Sequence, residues 1–78
     1  MIEQVVDIIS KYTDTPKERI QGETNLLADL FMASVDFIEM ICELEDAFGE
    51  EIPEGDFKKL VIVENIVNYI KRRTAYHD

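Results

Sequence analysis

The sequence predicts an all-α fold: a small four-helix bundle of three main helices and one short one, with a long loop between the first two. Three observations carry this. Three segments repeat their apolar residues at helical spacing. No segment alternates like a strand, repeats, or falls to low complexity. Gly22, Gly49 and Pro53 punctuate the gaps between the periodic segments. With 78 residues, 46% of them apolar, the chain is expected to form a single domain over 1–78 with a small core.

The first helix is predicted from Ile2 to Tyr12, where Ile2, Val5, Val6, Ile8, Ile9 and Tyr12 share a face. Thr15-Pro16-Lys17-Glu18 then reads as an N-cap, a proline at the first helical position and a capping-box glutamate, enough for one short turn. Thr13 to Ala33 is a long connection. Ile20, Leu26, Leu27 and Leu30 are too apolar for a free loop and are expected to lie across the helix ends and close the core.

The second helix is predicted from Ser34 to Phe48. Turning 100° per residue gathers Phe37, Met40, Ile41, Leu44 and Phe48 on one side. Asp36, Glu39, Glu43 and Asp46 gather on the other, with Val35 and Cys42 at the border. Gly49 is the natural C-cap. The residue before Pro53 avoids the α region, so Glu50 to Pro53 is extended. Glu54 to Leu60 makes a short helix with Phe57 and Leu60 inward. The last helix is predicted from Val63 to Arg73, its Lys71, Arg72 and Arg73 meeting the negative end of the dipole. Thr74 to Asp78 is expected to fray.

Charge narrows the partners. The net charge is −9, from 17 acidic and 8 basic residues. No Lys or Arg stands between Arg19 and Lys58, a gap that holds 11 acids. Such a field repels nucleic acid and anionic lipid, so no nucleic acid and no membrane partner is expected, and it attracts basic protein surfaces. One cysteine excludes an internal disulfide. The N-terminus is not expected to be a signal peptide, since acids interrupt its apolar residues. No apolar run can span a bilayer, and the expected location is the cytoplasm.

Catalytic and metal chemistry fit poorly. Neither Gly49 nor Gly55 stands as the turn glycine of an EF-hand loop, so only loose cation binding by the acidic ridge is expected. The only histidine, His77, lies in the tail, so no Ser-His-Asp or Cys-His pairing is credible. Cys42, among acids on a helix, reads as a packing residue. No glycine-rich phosphate loop exists, and no enzyme is expected. Ser34 stands at the loop-to-helix junction. On local grounds it reads first as a helix N-cap, its hydroxyl accepting a bond from a backbone N–H. A helix N-terminus is also where a phosphate diester sits comfortably.

The stretch Asp29-Leu30-Phe31-Met32-Ala33-Ser34-Val35-Asp36, with Ile38-Glu39-Met40, resembles the modification site of acyl carrier proteins, D-L-G-x-D-S-L-D-x-x-E-L. Glu45-Asp46-Ala47-Phe48-Gly49-Glu50-Glu51-Ile52-Pro53 resembles that family's E-E-x-F-G-x-x-I-P. Val67-Asn68-Tyr69-Ile70 fits its last helix, so the resemblance covers essentially the whole chain. It implies that Ser34 bears a 4′-phosphopantetheine arm, added from coenzyme A by a phosphopantetheinyl transferase, whose thiol holds an acyl group as a thioester. It also implies that Val35, Asp36, Glu39, Cys42, Glu43 and Asp46 dock on basic patches of acyl-processing enzymes, the chain acting as a monomer. The alternative is a domain of the same fold that has lost the arm and acts only through its acidic face. A more distant one is a small acidic regulator in which Ser34 is merely a cap.

Four positions depart from the family pattern. Ala33 stands for its aspartate, Phe31 for its glycine, Val35 for its leucine, and Ile62 for the threonine that caps its last helix. A carboxylate at 33 is expected to favour the helix dipole and assist a magnesium-dependent transferase, and alanine supplies neither effect. Phe31 is expected either to narrow the approach to Ser34 or to tuck into the bundle.

Overall fold

A computed structural model describes residues 2–74. They form α1 (Ile2–Ser10), α2 (Ser34–Phe48) and α3 (Val63–Thr74), with a 3₁₀ turn at Lys17–Arg19 and a 3₁₀ helix at Glu54–Val61. The predicted all-α bundle is what the chain adopts. The only β pairing among the described residues is one antiparallel bridge, Asn25 with Ile62.

The helical stripes meet as their periods require. Val5, Ile8 and Ile9 of α1 pack against Phe37, Met40, Ile41 and Leu44 of α2 and Val63, Ile66, Val67 and Ile70 of α3. Leu60 and Ile52 join the same core, and the ring of Phe37 meets that of Phe57 edge-on at 6.4 Å. Each large side chain sealed this way contributes about 1.5–3 kcal/mol over its exposed state.

Several boundaries differ from the sequence expectation. α1 ends at Ser10 rather than Tyr12, because the amides of Lys11 and Tyr12 bond three residues back, to Ile8 and Ile9, and tighten the chain into a turn. Ile2 is largely exposed despite sharing the apolar stripe. At the 3₁₀ turn Pro16 is the cap residue, not the first helical one, and no side chain caps the turn. Thr15 instead donates its amide to the Thr13 hydroxyl at 3.2 Å. The short helix runs one residue past Leu60 and is 3₁₀ throughout. Thr74 belongs to α3, its hydroxyl bonded to the Ile70 carbonyl at 2.9 Å, whereas the rest of the expected frayed tail and His77 lie outside the described residues.

The long loop is held at both ends. Leu26 is fully buried; its amide donates to the Val61 carbonyl at 2.7 Å, and its carbonyl accepts from Met32 at 3.1 Å. Val63 and Glu64 donate back to Thr24 and Gly22, at 3.1 and 2.7 Å. Between these ties Asn25 organises a tight turn. Its side-chain oxygen accepts from the amides of Leu27 and Ala28 at 2.9 and 2.8 Å, and Asp29 accepts from its amide at 2.8 Å. Ile20 and Leu26 close the core as expected and Leu30 packs beside it, but Leu27 is exposed.

Candidate functional site

The Asn25 turn delivers the chain to the start of α2. Ala33, with φ −68° and ψ 151°, is the cap residue, and Ser34 is the first residue of the helix. Ser34 is therefore not the N-cap. The first helical bond runs from the amide of Phe37 to the Ala33 carbonyl at 2.9 Å. The amides of Ser34, Val35 and Asp36 precede it and have no acceptor within the helix. No side chain caps them. Ser34 is exposed, and among the described residues its hydroxyl has no hydrogen-bond partner. A nucleophilic oxygen thus lies open at the positive end of a 15-residue helix, where an attached phosphate diester would meet free N–H groups.

The cap assignment yields a prediction. Aspartate at position 33 can accept from the amides of Val35 or Asp36, which alanine cannot. Ala33→Asp is expected to stabilise the fold by about 1 kcal/mol, raising Tm by about 4–8 °C for a domain of this size. Thermal unfolding followed by circular dichroism checks it; an unchanged or lower Tm would show that repulsion from Asp36 outweighs the new bond.

α2 does not present its acids evenly. Opposite the buried residues the helix runs through Val35, Cys42 and Asp46, all exposed, with Glu39 beside them. Cys42 is thus not the packing residue that its surroundings suggested. Asp36 and Glu43 are half-buried on the flank. Glu43 is held from α1's end: Lys11 pairs with its Oε2, and the Tyr12 hydroxyl donates to its Oε1 at 2.7 Å. Lys11, then Tyr12, holds this carboxyl below its usual range. The bond to Glu43, then partial burial, pushes the Tyr12 hydroxyl up to about 12. Glu45, also half-buried, accepts from the Ile52 amide at 2.8 Å and ties down the segment after Gly49. Gly49 itself closes α2 in the left-handed conformation, φ 65°.

Two exposed apolar residues of the loop and the first turns of α2, Leu27 and Ile38, are not marked by the sequence pattern, whereas Phe31 is. Phe31 does not tuck into the bundle; it is 85% exposed, with φ 54°. The sequence did carry a signal for it, since a large aromatic stands where the resembling pattern has glycine. Among the described residues no cluster of His, Cys, Asp or Glu could hold a metal ion, and no helix is long and apolar enough to cross a membrane.

The chain is similar to known proteins along most of its length. A family model described as a phosphopantetheine attachment site matches residues 3–70. An acyl carrier protein of Lactobacillus johnsonii is 40% identical over 68 residues, 87% of this chain and 85% of the relative. One from Syntrophobacter fumaroxidans is 36% identical over 72 residues, 92% of this chain and 89% of its own. The solved structure of the acyl carrier protein from Enterococcus faecalis superposes with a TM-score of 0.78 at 35% identity, covering 88% of this chain and 87% of that one.

Proposed function

We propose a function from one premise: the chain belongs to the acyl carrier protein family. On our reading it carries acyl intermediates on a 4′-phosphopantetheine arm attached to Ser34 and catalyses nothing itself. The observation that supports this most is the exposed, unpartnered Ser34 hydroxyl at the start of α2. Attachment forms an Oγ–phosphorus bond at Ser34 and breaks the pyrophosphate link of coenzyme A. The nucleotide half leaves, and the hydroxyl proton passes to a base on the transferase. Once attached, the arm supplies a thiol that holds the acyl group as a thioester. The chain's own part is to position and to steer. The Asn25 turn fixes where Ser34 sits, and the free amides of α2's first turn favour the phosphate's charge.

Docking on acyl-processing enzymes falls to the exposed strip of α2: Val35, Glu39, Cys42 and Asp46, with Asp36 adding charge from the flank. Glu43, engaged by Lys11 and Tyr12, serves chiefly to join α1 to α2. Acids steer a basic partner from a distance, and Val35 gives a small apolar contact on arrival. Such an interface releases quickly, as a carrier that visits several enzymes requires.

The test is the intact mass of the protein co-expressed with a broad-specificity phosphopantetheinyl transferase and, separately, with the source organism's own. Wild type should gain one phosphopantetheine, and Ser34→Ala none. Because the hydroxyl caps nothing, Ser34→Ala should change stability by less than about 0.5 kcal/mol. A wild-type mass unchanged with both enzymes would reject the carrier reading and leave an interaction domain without an arm.

A further inference from the structure

Phe31 carries two costs that the fold does not offset. Its backbone is left-handed, a conformation that a bulky L-residue adopts only against steric repulsion from its own Cβ. The residue is 85% exposed, so its side chain gives back almost no burial. Position 31 would be easier to fold as glycine. Strain retained at an exposed position beside a reactive group points to use rather than packing.

Phe31 is not the only exposed apolar residue near Ser34 in sequence: Val35, 66% exposed, and Ile38, 47% exposed, follow it in the first turns of α2. The charges that flank Ser34 along the chain are all of one sign: Asp29 in the loop, Asp36 and Glu39 on the helix, and no Lys or Arg from residue 20 to residue 57. An enzyme that reaches the Ser34 hydroxyl approaches a segment with Phe31 three residues before the serine and Val35 directly after it, both exposed.

We infer that Phe31 is a specificity-determining residue for the transferase that modifies Ser34, its ring entering an apolar pocket rimmed by lysine or arginine on that enzyme. The inference rests on Ser34 being the attachment serine. A ring raised clear of the chain is an anchor for a matched pocket and an obstacle to an enzyme without one. The left-handed backbone sets the direction of the Cα–Cβ bond that carries the ring.

The experiment measures steady-state modification of Ser34 with coenzyme A and the source organism's own transferase, for wild type, Phe31→Ala, Phe31→Gly and Phe31→Leu. Glycine accepts the left-handed backbone without strain, so it serves as the variant certain to keep the loop. Phe31→Ala and Phe31→Gly are expected to raise KM for the carrier about tenfold or more, with kcat within about twofold, and Phe31→Leu to recover part of the loss. An unchanged or lowered KM in both small variants would overturn the inference, as would an effect on kcat alone. So would sedimentation showing a wild-type dimer that Phe31→Gly dissolves, since the patch would then be covered by a second copy. Wild type left unmodified would instead reject the attachment reading itself, and this inference with it.

Discussion

Glu39→Lys combined with Asp46→Lys is expected to weaken docking on acyl-processing enzymes by about tenfold or more while leaving the fold intact. Both carboxylates are exposed, and neither takes part in an ion pair among the described residues. Each reversal changes the charge by two, so the net falls from −9 to −5. Self-repulsion along α2 eases, and Tm should hold or rise. Titration calorimetry against a partner enzyme at low and moderate salt reads the effect. Wild-type binding should fall with salt, and the double variant should have little salt dependence left. Binding that survives the double reversal would mark these acids as a solvated face. Glu43 is the wrong residue for this test. Glu43→Lys would set a second ammonium against Lys11 and strip Tyr12 of its acceptor, mixing a folding defect with a docking one.

Leu26→Ala is expected to be the most damaging of the loop substitutions, costing about 2–5 kcal/mol. Leu26 is fully buried, and the backbone on either side of it bonds to Val61 and Met32. At roughly 0.05–0.15 kcal/mol per residue, the whole domain has about 4–12 kcal/mol to lose. The denaturant midpoint should fall sharply, and part of the population should be unfolded at 37 °C. Transferase loading of Ser34 should slow even at temperatures where the helices persist, because this loop places the serine. An unfolding free energy within about 0.5 kcal/mol of wild type would show that Leu26 contributes little to the core despite its burial.

Most of the fold was legible because it rests on local repeats. The stripes Val5, Ile8, Ile9 and Phe37, Met40, Ile41, Leu44 determine both the helices and their inward faces. Gly49 ends α2 where its backbone freedom places the stop. What was not legible depends on partners distant in sequence. Glu43 looks like any ridge acid until α1 brings Lys11 and Tyr12 against it. Leu27 matches Leu26 in composition, and only the Asn25 turn decides which of the two faces inward. The cap shifted from Ser34 to Ala33 because a serine at a helix start satisfies the pattern at either position. Cys42 reads as packing in the sequence, yet it is exposed. Measured from the core side chains, the helix angle already placed it outward.

The ties between the loop and the start of α3 also bear on when the site exists during synthesis. Leu26 waits for the Val61 carbonyl, and Gly22 and Thr24 wait for the amides of Glu64 and Val63. Some 35 to 42 residues separate these partners, so a nascent chain that has emerged only as far as Phe48 holds Ser34 on an untethered loop. Closing so wide a contour costs entropy that only the completed last helix offsets. Ser34 is therefore presented in its final geometry only after α3 has left the ribosome. A modifying enzyme that reads that geometry meets a completed bundle, not a chain still short of α3.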